Sequence, residues 1–159
     1  MRKYVLFGVA AWLLNACSPS ETDLNAAAKE QAQQFAEAYF NYDFDQARRF
    51  VTPESEKWLR FAASNVTQED VDLINATSDQ VSVAATDCQY QDDSTTCVRV
   101  IVYNAVLKGS LGRPAHTASE AEFVLTLVNR DGAYLVKLEG LPRNESQRAL
   151  SVAKKTAFL

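Results

Sequence analysis

From Gln80 onward the apolar residues of the chain recur at every second position, whereas before it they recur every three or four. That change of period, from helical to extended, constrains the fold more than any other feature of the sequence. In the first half, Leu24, Ala28, Ala32, Phe35, Tyr39 and Tyr42 form one stripe along a long helix. Asp43, with Gln46 three residues on, reads as the capping box of a short second helix that has Phe44, Ala47 and Val51 on its inner face. Thr52-Pro53-Glu54 reads as the cap, first-turn proline and first-turn acid of a third helix, which buries Trp58, Phe61 and Ala62. Thr67 with Asp70 starts a fourth, running through Val71 and Ile74. In the second half, Val81, Val83 and Ala85 alternate in one strand. Thr95 to Leu107 form another, with Val98, Val100 and Val102 on one face and Ile101 and Tyr103 on the other. Phe123, Leu125 and Leu127 mark a third strand and Tyr134, Val136 and Leu138 a fourth, joined through the turn Asp131-Gly132. Helices first and an antiparallel sheet second make the chain α+β: a long N-terminal helix plus short helices packed on a four-stranded sheet.

The first residues serve a different purpose. Arg2 and Lys3 precede an apolar run from Val5 to Ala16, too short for the roughly 20 residues that span hydrocarbon. The run ends in Leu14-Asn15-Ala16-Cys17, which resembles a lipobox: residues 1–16 read as a lipoprotein signal peptide and Cys17 as the acylated residue. Residues 17–23 then form a lipidated polar tether, 24–142 the α+β domain, and 143–159 a basic tail that Asn144 and Gln147 could cap as a helix. Ser18 differs from the aspartate that some systems use for inner-membrane retention, so the expected location is the cell envelope, anchored to the outer membrane. Removing Arg2 and Lys3 with the leader leaves 14 basic residues against 20 acidic ones, a net charge of −6. That balance opposes nucleic-acid binding, which needs a basic face. No cofactor motif is visible.

If the lipid takes Cys17, Cys88 and Cys97 remain, an even pair in an exported chain, which favours a disulfide. With Asp92-Asp93 as the tip of a two-residue hairpin, Cys88 faces Cys97 at a non-hydrogen-bonded site, where Cα atoms lie about 4.5 Å apart. Closing that loop would be worth roughly 2–3 kcal/mol.

The phrase Phe35-x3-Tyr39-x4-Phe44-x2-Ala47-x3-Val51-Thr52, after a long helix and before four strands, resembles the nuclear-transport-factor-2-like (NTF2-like) family, and among its members small single-domain bacterial lipoproteins. The resemblance spans roughly residues 24–142 and implies a curved sheet wrapped around the long helix as a cone whose open end can hold a ligand. Members of that fold include isomerases, hydrolases, small-molecule binders and proteins that dimerise through the sheet, so fold alone does not give function.

Phe35, Tyr39, Trp58, Phe61, Arg99, Tyr103 and Phe123 are the residues that could line such a pocket, although aromatic residues at these spacings also build plain core. Arg99 shares a strand face with Cys97, Ile101 and Tyr103 and needs an acidic or carbonyl partner if buried. His116, the only histidine, falls in the loop between the second and third strands; as a general base it would need Glu120 or Glu122 to orient it. No metal-ligand spacing is present. Val98, Val100 and Val102 could form a second apolar surface for a homodimer or an envelope protein. The expected function is that of a membrane-anchored, non-enzymatic ligand-binding or protein-interaction module. The alternatives are a small isomerase or hydrolase acting near His116, and a structural subunit of an envelope assembly.

Overall fold

The computed structural model describes residues 21–76, 80–108 and 115–145. The expected signal peptide, Cys17 and the tail after Glu145 lie outside the described residues. Helix α1 (Glu21–Phe40) starts three residues inside the expected tether, and is followed by α2 (Phe44–Ala47), α3 (Glu56–Ser64) and α4 (Gln68–Ala76). Strands β1 (Ser82–Tyr90), β2 (Thr95–Leu107), β3 (His116–Arg130) and β4 (Ala133–Lys137) form one antiparallel sheet in the order β1-β2-β3-β4. The fold is α+β, as the change of period requires. Among the described residues, no helix is long and apolar enough to cross a membrane.

Helix α1 packs against all four strands and buries its alanine-rich stripe, Ala28, Ala32, Phe35 and Ala36, without residual exposure. Small residues on that stripe let the helix approach the sheet closely, and Phe35 fills the centre. The face of β2 that receives the helix carries Val98, Val100 and Val102, each fully buried. These valines are therefore core and not the partner surface expected from the sequence. The outer face belongs to Cys97, Arg99 and Ile101, half buried, and to exposed Tyr103. Two irregularities bend the sheet. A register shift interrupts the β1–β2 ladder between Ala85 and Cys88, and Asn104 takes a left-handed conformation (φ 56°), after which Ala105, Val106 and Leu107 are all buried.

The hairpin between β1 and β2 overturns the disulfide. A two-residue tip at Asp92-Asp93 would place Cys88 opposite Cys97. Instead, Gln91 N–H donates to Thr95 O (2.9 Å), and Asp92 Oδ1 accepts from the backbone N–H and the hydroxyl of Ser94 (2.8 and 2.9 Å), which makes the loop one residue longer. The register becomes Cys88↔Val98 and Gln89↔Cys97. A slip of one residue moves a side chain to the other face. Cys88 packs against the core, while Cys97 lies on the outer face with Sγ 3.8 Å from Thr126 Oγ1, and both are free thiols. Burial pushes the Cys88 thiol above its ordinary pKa, with Lys29 offsetting the shift only in part. Alkylation of the denatured chain without prior reduction should therefore modify both cysteines, as read by intact mass; a chain that gains adducts only after reduction would restore the disulfide.

Thr52 stands at the N-cap of a 3₁₀ turn, Pro53–Ser55, that leads into α3 with Pro53 and Glu54 in its first turn as expected, and the same segment is a bolt on the sheet edge. Val51 bridges Val136 in parallel, and Thr52 N–H donates to Val136 O (3.0 Å). The hydroxyls of Thr52 and Ser55 lie 2.7 Å apart, and Leu138 N–H donates to Ser55 Oγ (2.8 Å). Both side chains are buried, and the segment covers an edge of β4 that would otherwise expose unpaired backbone groups. Ser55→Ala leaves Leu138 N–H without a partner in a buried place and should cost about 1–3 kcal/mol in urea denaturation.

Helix α3 differs from expectation in its inward face. Leu59 and Ala62 are buried, Trp58 is half buried, and Phe61 is 50% exposed. The two caps are as expected: Asp43 Oδ1 accepts from Gln46 N–H (2.9 Å), and Thr67 and Asp70 form a reciprocal pair in which Asp70 Oδ2 accepts from Thr67 N–H (2.7 Å). Asp131 and Gly132 both have positive φ (53° and 85°), the conformation of a tight two-residue hairpin.

Candidate functional site

The end of α1 is where the chain departs from ordinary sequence rules. Asp43 N–H donates to Ala38 O (2.9 Å) and Tyr42 N–H to Tyr39 O (3.1 Å), the two bonds of a Schellman helix end. That motif needs a left-handed residue, usually glycine, at the position after the cap. Here it is Tyr42, at φ 62°. A side chain with a Cβ is disfavoured there by about 1–2 kcal/mol, and such strain persists only where surrounding structure holds it. What holds Tyr42 is a set of rings. Phe44 returns over it in a stacked arrangement (centroids 5.9 Å apart, 14° between planes) and meets Tyr39 edge-on at 5.7 Å; Tyr39 leans on Phe35 at 5.5 Å. Below them Phe40 contacts Phe123 at 4.5 Å.

These rings form one wall of a cavity of about 110 Å³. The opposite walls come from Ala62 near the end of α3 and Val66 just after it, from Val106 and Leu107 at the end of β2, from Phe123 on β3, and from Leu141 and Pro142 after β4. Apolar walls with a few convergent polar groups are what a ligand site requires. The polar residues that line it are Tyr39, Tyr42, Asn65, Lys108 and Asn144. The Tyr42 hydroxyl is shielded from solvent and has no hydrogen-bond partner among the described residues. Lys108 Nζ pairs with Asp70 Oδ2 and also donates to Asn65 O, which ties the end of β2 to α4 and to the end of α3.

The electrostatics follow from this arrangement. Burial, then the negative charge of Asp70, pushes the Tyr42 hydroxyl up to about 12. Burial, then Tyr42, moves Tyr39 further in the same direction. Both phenols therefore stay protonated across the physiological range and offer O–H donors. Burial alone would raise the pKa of Asp70, but the bonds from Lys108 and from Thr67 N–H and hydroxyl outweigh it and hold the carboxyl below its ordinary value. Asp70 is therefore ionised at neutral pH, and its pairing with Lys108 compensates the charge.

Of the residues singled out from the sequence, the structure gathers only Tyr39 and Phe123 around this cavity. Phe35 is core beneath it. Trp58 lines a shallow groove beside Glu54 and Arg130, and Phe61 faces solvent. Tyr103 is on the outer sheet face. Arg99 is also there, held between Asp87 (3.4 Å) and Glu122, so its charge is committed across three strands and does not enter the cavity. His116 is the first residue of β3 instead of a loop residue, exposed and paired with Leu107 at the cavity rim. Glu120 stands four residues along the same strand, about 13 Å away at strand spacing, and Glu122 is taken by Arg99. Neither can orient the imidazole. Among the described residues, no cluster of three or more histidines, cysteines or acids could hold a metal. Sequence reading missed Tyr42 as a site residue, together with Asn65, Asp70 and Lys108. A signal for Tyr42 was present: the helix stops without a glycine between Phe40 and Asp43.

No family model matches the chain, and no curated protein matches it. The solved structures to which it is similar include two of low identity. One is an Ntf2-like protein involved in plasmid conjugation, with a TM-score of 0.35 and 17% identity over 76% of this chain and 48% of that one. The other is Rv3472, a function-unknown protein from Mycobacterium tuberculosis, with a TM-score of 0.44 and 14% identity over 79% of this chain and 76% of that one. The chain spans about half the length of the first. At these identities and scores nothing beyond a general likeness is carried across.

Proposed function

We propose that the chain is an envelope lipoprotein, held to the outer membrane through Cys17, whose NTF2-like domain is a non-enzymatic ligand-binding module with its site at the cavity beside Tyr42. The anchor is supported by the charged start, the short apolar run and Leu14-Asn15-Ala16-Cys17. The module is supported by one observation above the others: a cavity with apolar walls, lined in part by the strained Tyr42, whose shielded hydroxyl has no hydrogen-bond partner among the described residues. A protein selected for stability alone has no reason to keep either cost, because a shielded hydroxyl without a partner is disfavoured by about 1–3 kcal/mol. At about 110 Å³, the cavity is smaller than the roughly 300 Å³ of a pocket that encloses a drug-sized molecule, so it accepts one end of a ligand.

The two parts are tested separately. Metabolic labelling with a palmitate analogue should mark the wild-type chain and leave Cys17→Ser unmarked; an unlabelled wild type removes the anchor. For the cavity, saturation transfer to isopropylbenzene should be seen with the wild type and be lost in Val66→Trp, which fills the space. Equal transfer to both proteins would place the apolar contact elsewhere. The hydroxyl has its own signature in stability. Tyr42→Phe should leave the unfolding midpoint unchanged or raise it, by up to about 1–2 kcal/mol in free energy, whereas a purely structural tyrosine would lose stability on the same change.

A further inference from the structure

The outer face of the sheet has a concavity of its own, separate from the cavity beside Tyr42. An open groove of about 750 Å³ passes over Cys97 on β2 and over Val124 and Thr126 on β3, and the segment after β4 walls one side of it. Its charge is one-sided. Asp92, Glu139 and Glu145 line it against Lys137 and Arg143. On the adjoining sheet face, Asp87 and Glu122 hold Arg99 between them, and Glu120 is exposed opposite Tyr103. Six acids against three bases leave an excess of three negative charges. Glu145 is also the last residue described at this end, so the chain leaves the fold from within the groove. The next 14 residues, 146–159, have the opposite character: Arg148, Lys154 and Lys155 with no acid, interleaved with Leu150, Val152 and Phe158.

We infer that residues 146–159 turn back into this groove and cover the outer face of the sheet as its intramolecular occupant. Reach is not limiting. From Cys97 to Tyr103 along β2 is about 20 Å at strand spacing, and 14 residues span about 21 Å even when wound as a helix. The three basic side chains answer the three excess acids, and Leu150, Val152 and Phe158 supply apolar contact for Val124. The rival occupant is a second copy of the chain. A two-fold pairing brings the same patch against itself, which sets one acidic excess against another. The tail has the complementary charge and begins inside the groove, so it binds at the effective concentration of a tethered segment. Any partner that uses this face must first displace it.

Cys97 reports on the groove from inside it. Residues 18–159 of the wild type and of Arg148→Glu/Lys154→Glu/Lys155→Glu are treated with N-ethylmaleimide under native conditions, and peptide mass spectrometry follows each cysteine. Cys97 should react about fivefold or more slowly in the wild type than in the variant, the ratio that three exposed ion pairs supply. Salt at about 1 M, which shortens the screening length to about 3 Å, should speed the wild type towards the variant. Cys88 packs against the core and should stay slow in both proteins. Equal Cys97 rates, unmoved by salt, would overturn the inference. Protection that grows with protein concentration, alongside a dimer in sedimentation, would also overturn it and give the groove to a second copy. Should Cys88 become reactive in the variant, the fold has loosened there, and the salt response of the wild type decides alone.

Discussion

Replacing Val100 by lysine should abolish the cooperative unfolding transition of the domain, whereas the same change one residue on, at Ile101, should shift it by no more than about 1 kcal/mol. Val100 is fully buried between α1 and the sheet, opposite Ala85 on β1 and Phe123 on β3. An ammonium placed there loses its hydration and finds no partner among Phe35, Val98 and Val102. The cost exceeds about 4–5 kcal/mol, a large share of the 5–15 kcal/mol that holds most domains together. Ile101 lies on the other face, only half buried, opposite the Glu122 carboxylate that pairs with Arg99, so a lysine there keeps its water and meets no apolar burial. Circular dichroism of both variants through a urea titration reads the contrast. A folded Val100→Lys with a collapsed Ile101→Lys would mean the two faces of the sheet are exchanged.

That contrast marks what the sequence could and could not convey. The period-2 run from Thr95 to Leu107 defines β2 at its observed ends, and the alternation correctly separates Val98, Val100 and Val102 from Ile101 and Tyr103. Alternation does not say which face meets the helices, because β2 is apolar on both. The helix stripe was legible for the same reason as the strand: a long segment repeats its signal. Register was not, because it depends on a few turn residues. A two-residue tip at Asp92-Asp93 and the observed loop closed by the Asp92–Ser94 bonds differ by one position, yet that position decides whether Cys88 and Cys97 share a face. Phe61 misleads similarly, since one turn of α3 offers Leu59 or Phe61 as the inward residue and the packing of the helix chooses.

The second large effect is expected at Asp70. Its side chain is almost wholly buried and accepts from Thr67 N–H, the Thr67 hydroxyl (2.8 Å) and Lys108. Asp70→Ala removes the cap of α4 and the tie to β2 together, and should destabilise the domain by about 2–4 kcal/mol. The same carboxyl gives a pH dependence with a definite sign. Its folded pKa is held below the unfolded value by Lys108 and Thr67 against the opposing effect of burial. Its contribution is therefore fully present above the ordinary carboxylate pKa and is lost as the pH falls through the lower folded value. Stability measured from neutral pH downward should fall steeply in the acid range for the wild type and less steeply for Asp70→Ala. Parallel acid limbs would mean Asp70 gains nothing from its partners.

Asp70 also shows why the site was harder to read than the fold. The sequence identified it as a helix cap, which it is, but its second role depends on Lys108, 38 positions away, reaching it from the end of β2. The cavity is built by the ends of α1, α3 and β2 together with Phe123 of β3 and the segment after β4, whose meeting no local pattern records. Tyr39 and Phe123 were legible because they lie on regular apolar stripes. Tyr42 was assigned to the same stripe, although its left-handed backbone turns it out of the helix and over the cavity mouth.

The central claim is that this cavity, and no other surface of the domain, receives the ligand. Amide chemical-shift mapping of residues 18–159 titrated with isopropylbenzene tests it most directly. The account predicts saturable shifts confined to Tyr39, Tyr42, Phe44, Val66, Leu107, Lys108 and their immediate neighbours. Shifts centred on Arg99, Ile101 and Tyr103 across the outer face of the sheet, or an unperturbed spectrum, would contradict it.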